Sequence, residues 1–144
     1  MVKIALSVCS EQGSLLAAHL RNTEASAYFD VNQLNICREG FEIAIRIREE
    51  KLPPNDKEFA VSLANLGNLE TAEENFDEAR DLLGKAATIR QEIGDPAATM
   101  LALTYLQIGR VHSLEKDYPA ALRMFQKSEA LFNRQTGARD YLAE

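Results

Sequence analysis

Residues able to do chemistry are sparse and scattered in this chain of 144 residues. His19 and His112 stand far apart, each inside an apolar helical pattern, which points to packing rather than to a metal ligand or a base. Neither Cys9 nor Cys37 belongs to a CxxC pair, and no histidine lies at ligand spacing from either. Both read as small reduced core residues of a reducing compartment, with a disulfide between helices as the less favoured reading. No Ser/His/Asp or Cys/His set is suggested by spacing. The acidic cluster Glu70, Glu73, Glu74, Asp77 and Glu78 falls around a break between two helical stretches. It reads as a solvated turn whose charges favour a helix start through the dipole, ahead of a metal site. Arg46, Arg48, Glu49, Glu50 and Lys51 read as a charged helix face. There is no GxxxxGK[ST] loop to cradle a nucleotide. The chemistry-bearing residues thus give no support for an enzyme, a metal or a cofactor.

Composition narrows the class further. Apolar residues make up 46% and charged residues 26%, enough for one domain with a sizeable core. A net charge of −6 disfavours non-specific nucleic-acid binding. The opening MVKIALSVCSEQG has too short an apolar run for a signal peptide or a membrane span. The expectation is an intracellular, cytoplasmic protein with neither membrane nor nucleic acid as a partner.

The elements that must position any site are helices. Gln12-Gly13-Ser14 ends one short helical stretch over residues 2–10 and caps a second, from Ser14 to about Phe29. A third runs from about Leu34 to Lys51, stopped by Pro53-Pro54. Asn55 with Glu58, and Asn75 with Glu78, read as capping-box starts of helices reaching about Thr71 and Ile93. Gly94 closes the latter, and Asp95-Pro96 opens a helix to about Leu114. Asp117-Tyr118-Pro119 opens the next, ending near Gln135 with Gly137 as its terminator, and residues 138–144 begin another. No strand signal appears.

These helices repeat. Gly67 and Gly109, Ala79 and Ala121, Leu83 and Phe125, and Lys85 and Lys127 each differ by 42 positions. Phe41, Ala44, Ile47 and Arg48 precede Leu83, Ala86, Ile89 and Arg90 by the same interval. Upstream the offset reads as 43, pairing Leu20 with Leu63 and Asn22 with Asn65, with one residue inserted around Tyr28 to Leu34. A mid-helix glycine costs about 1 kcal/mol against alanine, so two at one repeat position mark a close helix approach.

Leu66-Gly67, Ala79, Leu83 and Ala86 stand at the spacing of the tetratricopeptide repeat, and the chain resembles that family over nearly its whole length. The longer period resembles the kinesin-light-chain type, as in the C-terminal arrays of fungal and bacterial signalling ATPases. The first hairpin departs from the pattern, with Glu24 where glycine is expected and Cys37 where alanine is. The resemblance implies an all-α, right-handed α-solenoid of about three helix-turn-helix repeats with partial repeats at both ends. The hairpins fall at 15–51, 56–94 and 97–136, with partial helices at 2–10 and 138–144.

The resemblance also implies a function. The first helix of each hairpin would line a concave groove that binds a peptide or partner segment, making the chain a protein-binding scaffold. Family geometry then points to Arg21, Asn22 and Tyr28 in the first hairpin, Val61, Ala64, Asn65, Asn68 and Thr71 in the second, and Leu103, Leu106, Gln107, Arg110 and Ser113 in the third, with Arg21, Asn22, Tyr28, Asn65, Asn68, Gln107 and Arg110 as the polar contacts. The amides of Asn22, Asn65 and Gln107 would form a row offering donor and acceptor to an extended backbone, and Arg21 and Arg110 could pair with carboxylates or a phosphate. The plainer alternative is that these are solvated surface residues. Ala64 and Leu103 stand where a carboxylate clamp for chaperone tails needs lysines, which argues against that ligand. A second reading is a structural or regulatory fragment of a longer array that self-associates as a homo-oligomer through its exposed terminal partial repeats.

Overall fold

A computed structural model describes residues 13–140, and within them the chain forms six α-helices in three hairpins. Helices α1 (Leu15–Asp30) and α2 (Leu34–Lys51) form the first. Helices α3 (Lys57–Ala72) and α4 (Phe76–Ile93) form the second. After a 3-10 turn at Asp95–Ala97, α5 (Ala98–Leu114) and α6 (Tyr118–Asp140) form the third. No strand occurs among the described residues. Each helix packs on its neighbours in chain order, so the hairpins stack side by side. The first helices of successive hairpins also touch one another, α1 with α3 and α3 with α5, which puts them on the inner side of the stack.

Local chemistry sets most boundaries. Ser14 accepts from the Ala17 amide at 3.1 Å and starts α1. Gly94, at φ +80°, stops α4 in a conformation that L side chains resist. Asp117 accepts from the Ala120 amide at 3.2 Å and starts α6. Two caps differ from expectation. The side chain that caps α3 is Asp56, not Asn55: Asp56 Oδ1 accepts from the Glu58 amide at 2.7 Å. Asn75 precedes α4 without capping it, because its amide instead donates to Glu70 at 2.8 Å. Gly137 does not end α6, which continues to Asp140. Gly94 is the only described glycine with positive φ, so Gly137 lacks the left-handed backbone that terminates a helix. Residues 138–140 therefore extend α6 rather than open a new helix. The expected helix at 2–10, and residues 141–144, lie outside the described residues.

The repeat interval is 42 throughout, without the expected insertion. Each hairpin turn holds one residue in left-handed backbone, Asn32, Glu74 and Lys116, at 42-residue intervals. The same two hydrogen bonds close each turn: Asn32 to Phe29, Glu74 to Thr71 and Lys116 to Ser113, then Gln33 to Tyr28, Asn75 to Glu70 and Asp117 to His112. Ala25, not Glu24, is thus the counterpart of Gly67 and Gly109. In the second and third hairpins the glycine admits a large residue of the partner helix. A Cβ on Gly67 would lie 2.8 Å from Leu83 Cγ, and one on Gly109 2.5 Å from Phe125 Cε1. In the first, Ala25 carries its own methyl and the space is recovered on α2, where a Cβ on Gly40 would meet Ala25 Cβ at 2.8 Å.

One continuous core threads the stack, from Phe41 through Leu63, Leu69 and Leu83 to Tyr105 and Val111. Cys37 belongs to it as a free, fully buried thiol, which burial pushes above its ordinary pKa; Cys9 lies outside the described residues. His19 is exposed, contrary to its expected packing role.

Candidate binding face on the first helices of the hairpins

Two polar clasps hold every junction between described hairpins, and they decide which face is left open. At one end, Arg38 of α2 donates to Glu73 and, at 2.5 Å, to Glu70 of the next hairpin, while Arg80 of α4 pairs with Glu115 forty-two positions on. At the other end, Arg48 donates to Ser62 and to the Glu58 carbonyl at 2.9 Å. Its repeat partner Arg90 donates to Thr104 and to the Met100 carbonyl at 3.3 Å. Arg48 also meets the Glu58 carboxylate at 3.2 Å, whereas Met100 replaces that acid for Arg90.

These clasps correct two expectations. Arg48 is no part of a charged outer face: it is only 3% exposed and Arg90 6%. Burial lowers the pKa of both guanidinium groups, which stay charged at neutral pH. Glu70 is not part of a solvated turn, being 3% exposed. Burial alone would raise its pKa, but hydrogen bonds from Arg38 and Asn75 hold it below the ordinary carboxylate value. The signal for the arginines is in the sequence: both lie on the apolar stripe of their helices, each with a hydroxyl residue fourteen positions on.

What remains open on the inner side is a stripe of α3 and α5. Positions three, four and seven apart share one helix face, which gathers Val61, Asn65 and Asn68 on α3 and Leu103, Gln107 and Arg110 on α5. Leu103 and Leu106 are 39% and 40% exposed, which is unusual for leucines in so apolar a helix. Arg110 is exposed and forms no ion pair with any described residue. Gln107 stands at the repeat position of Asn65, and its Oε1 is buried without a hydrogen-bond partner among the described residues.

The first hairpin contributes differently from the expected row. With the 42-residue register, the counterparts of Asn65 and Gln107 are Thr23 in α1, not Asn22. Asn22 is 8% exposed, and its Oδ1 accepts from Ser62 Oγ at 3.2 Å and Asn65 Nδ2 at 3.3 Å. Its amide is thereby a junction contact, joined through Ser62 to Arg48. Arg21 and Tyr28 line a cavity of about 330 Å3 with Ile36, Glu39 and Ile43 of α2, and Arg21 meets Glu24 at 3.4 Å. The structure brings Asn65, Asn68, Gln107 and Arg110 onto one stripe and leaves Arg21 and Tyr28 at that separate cavity. Leu103 and Leu106 of α5 are exposed at positions where the family geometry puts groove residues, whereas Ala64 and Thr71 of α3, expected there too, are buried, Thr71 donating its hydroxyl to the Gly67 carbonyl at 2.8 Å.

No group of three His, Cys, Asp or Glu side chains among the described residues could hold a metal ion. No described helix is long and apolar enough to cross a membrane.

Stacked hairpins of this geometry define an α-solenoid. The tetratricopeptide repeat model matches residues 58–134, and the chain belongs to that family. The fold is similar to the crystal structure of BtubC (BKLC) from P. vanneervenii, with a TM-score of 0.87 at 18% identity, over 94% of this chain. The chain spans 56% of that structure. No curated protein matches the chain by sequence. Tetratricopeptide repeats are protein-interaction modules, and at this identity the likeness to BtubC speaks for the fold alone.

Proposed function

We propose that the chain is a binding scaffold without catalysis of its own, and that the inner stripe of α3 and α5 receives an extended segment of a protein partner. The observation that carries this reading is the pair Leu103 and Leu106, two leucines 39% and 40% exposed on the inner side of α5. They supply apolar contact, Asn68 and Gln107 supply amides for a partner's backbone, and Arg110, which pairs with no carboxylate among the described residues, supplies a cation. The stack is preformed, so binding orders few groups of the scaffold itself.

Asn68 and Arg110 contact no other described side chain through a hydrogen bond or ion pair, so removing them leaves the junctions intact. Affinity capture from the source cell with the intact chain and with Asn68→Ala/Arg110→Ala tests the reading. The expected result is loss of a specific partner at unchanged thermal stability. Unchanged recovery of every partner would overturn it. Self-association of the ends, the other reading, predicts concentration-dependent sedimentation instead.

A further inference from the structure

The side of the stack opposite the inner stripe carries a cavity of about 780 Å3 between α2 and α4. Its floor is apolar, with Phe59, Leu63 and Leu66 of α3, and its rim carries Glu49 of α2 and, on α4, Arg80 and the exposed pair Lys85–Asp81, whose charged atoms stand 3.2 Å apart. The next junction, between α4 and α6, shows what such a space holds. There the position of Leu63 is taken by Tyr105, whose ring is buried. Gln91 Nε2 donates to its hydroxyl at 2.6 Å, and Lys127 Nζ stands 5.4 Å from the ring centroid.

The two junctions correspond position by position at the 42-residue interval. Leu63 replaces Tyr105, Gly84 replaces Gln126, Glu49 replaces Gln91, and Lys85 is matched by Lys127. Ile45 in place of Ala87 fills part of the inner end, and the cavity stays open above it. A Cβ added to Gly84 would meet nothing within 4 Å, so this mid-helix glycine answers no packing need among the described residues. The first junction thus keeps the lysine and a polar side chain at the places that flank the phenol ring, holds the smaller Leu63 where the ring's own residue stands, and leaves the space above it open.

We propose that this outer cavity binds a tyrosine side chain of a partner polypeptide, seated where the chain's own Tyr105 sits one repeat later. The phenol O–H donates to the Glu49 carboxylate, the ring packs on Leu63 and Ile89, and the Lys85 ammonium swings from its exposed partner Asp81 to lie over the ring face. The change from Gln91 to Glu49 fits this role: Gln91 donates to a phenol oxygen, whereas a carboxylate only accepts and therefore selects an occupant with a hydroxyl proton to give. The site is independent of the inner stripe and uses none of its residues.

The test uses the full chain, labelled with 15N, and an acetylated pentapeptide with a central tyrosine between alanines. Matching peptides carry phenylalanine or leucine at the centre. The expected result is saturable shifts at the amides of Leu63, Gly84 and Ile89, with a Kd on the order of millimolar. The phenylalanine peptide binds about three- to tenfold more weakly, and the leucine peptide more weakly again. Gly84→Gln, which restores the residue of the filled junction, weakens the tyrosine peptide about tenfold or more while the melting temperature holds or rises. Glu49→Ala removes the margin of tyrosine over phenylalanine. Absence of saturable shifts at these amides, equal response to all three peptides, or unchanged binding by Gly84→Gln would each overturn the proposal.

Discussion

Arg90 reaches from the last turn of α4 to the hydroxyl of Thr104 in the next hairpin, and Arg48 makes the same contact with Ser62 forty-two positions earlier. The junctions of this solenoid are therefore not purely apolar. Each buries a guanidinium group against a hydroxyl and a backbone carbonyl, and among the described residues Arg48 has a carboxylate beside it whereas Arg90 has none. A buried cation with neutral acceptors depends on every hydrogen bond it makes. Thr104→Val, which keeps the shape of the residue and removes its oxygen, is expected to cost about 1–3 kcal/mol. Urea unfolding read by circular dichroism checks this, and an unchanged midpoint would contradict it. Ser62→Ala is expected to cost less, because Glu58 still neutralises Arg48.

Two glycines of the second hairpin are expected to behave oppositely. Gly67 lies against the fully buried Leu83, and a Cβ there would stand 2.8 Å from Leu83 Cγ, the branch point of that side chain rather than its tip. Gly67→Ala forces a shift and should cost about 1–3 kcal/mol. Gly84 faces open space, so Gly84→Ala should stabilise the helix by about 0.5–1 kcal/mol. Thermal melts of the two variants with opposite signs are the expected outcome, and two losses would show that Gly84 has an undetected packing role.

The Arg38 clasp gives the fold a defined acid response. The pKa of Glu70 is below its ordinary value of 4.5 in the folded chain. Its contribution is therefore fully present above that value and is lost as pH falls through the folded-state value. Unfolding free energy should decline as pH drops below about 4.5, and Glu70→Gln should flatten that decline while lowering stability at neutral pH. A variant whose acid profile overlays the wild type would remove Glu70 from the account. Breaking the clasp with Arg38→Ala should cost about 1–3 kcal/mol, since Glu70 is left buried with only Asn75 to bond it.

The hairpins, their breaks and the close glycine contacts were legible in the sequence, because each rests on local chemistry. Pro53-Pro54, Gly94 and Asp117 act on their own backbones, and Gly67 and Gly109 advertise themselves by recurring. The register of the first hairpin was not legible. Asn22 and Asn65 look like repeat equivalents, yet they face each other across a junction, and the turns at Asn32, Glu74 and Lys116 fix an interval one residue shorter than that pairing implies. The fates of Arg48 and Glu70 were hidden for a related reason. A charge on an apolar stripe reads as surface until its partner on another helix is known, and that partner is set by tertiary contact. The same holds for Gly137, whose helix runs on because nothing there calls for left-handed backbone.

Installing the photocrosslinker p-benzoylphenylalanine at Asn68 on the inner stripe, and separately at the exposed Glu129 on α6, which borders neither the inner stripe nor the outer cavity, tests the location of binding most directly. The account predicts partner adducts from position 68, none from position 129, and loss of those adducts when Arg110→Ala is added. Adducts from position 129 alone, or from both positions regardless of Arg110, would contradict it.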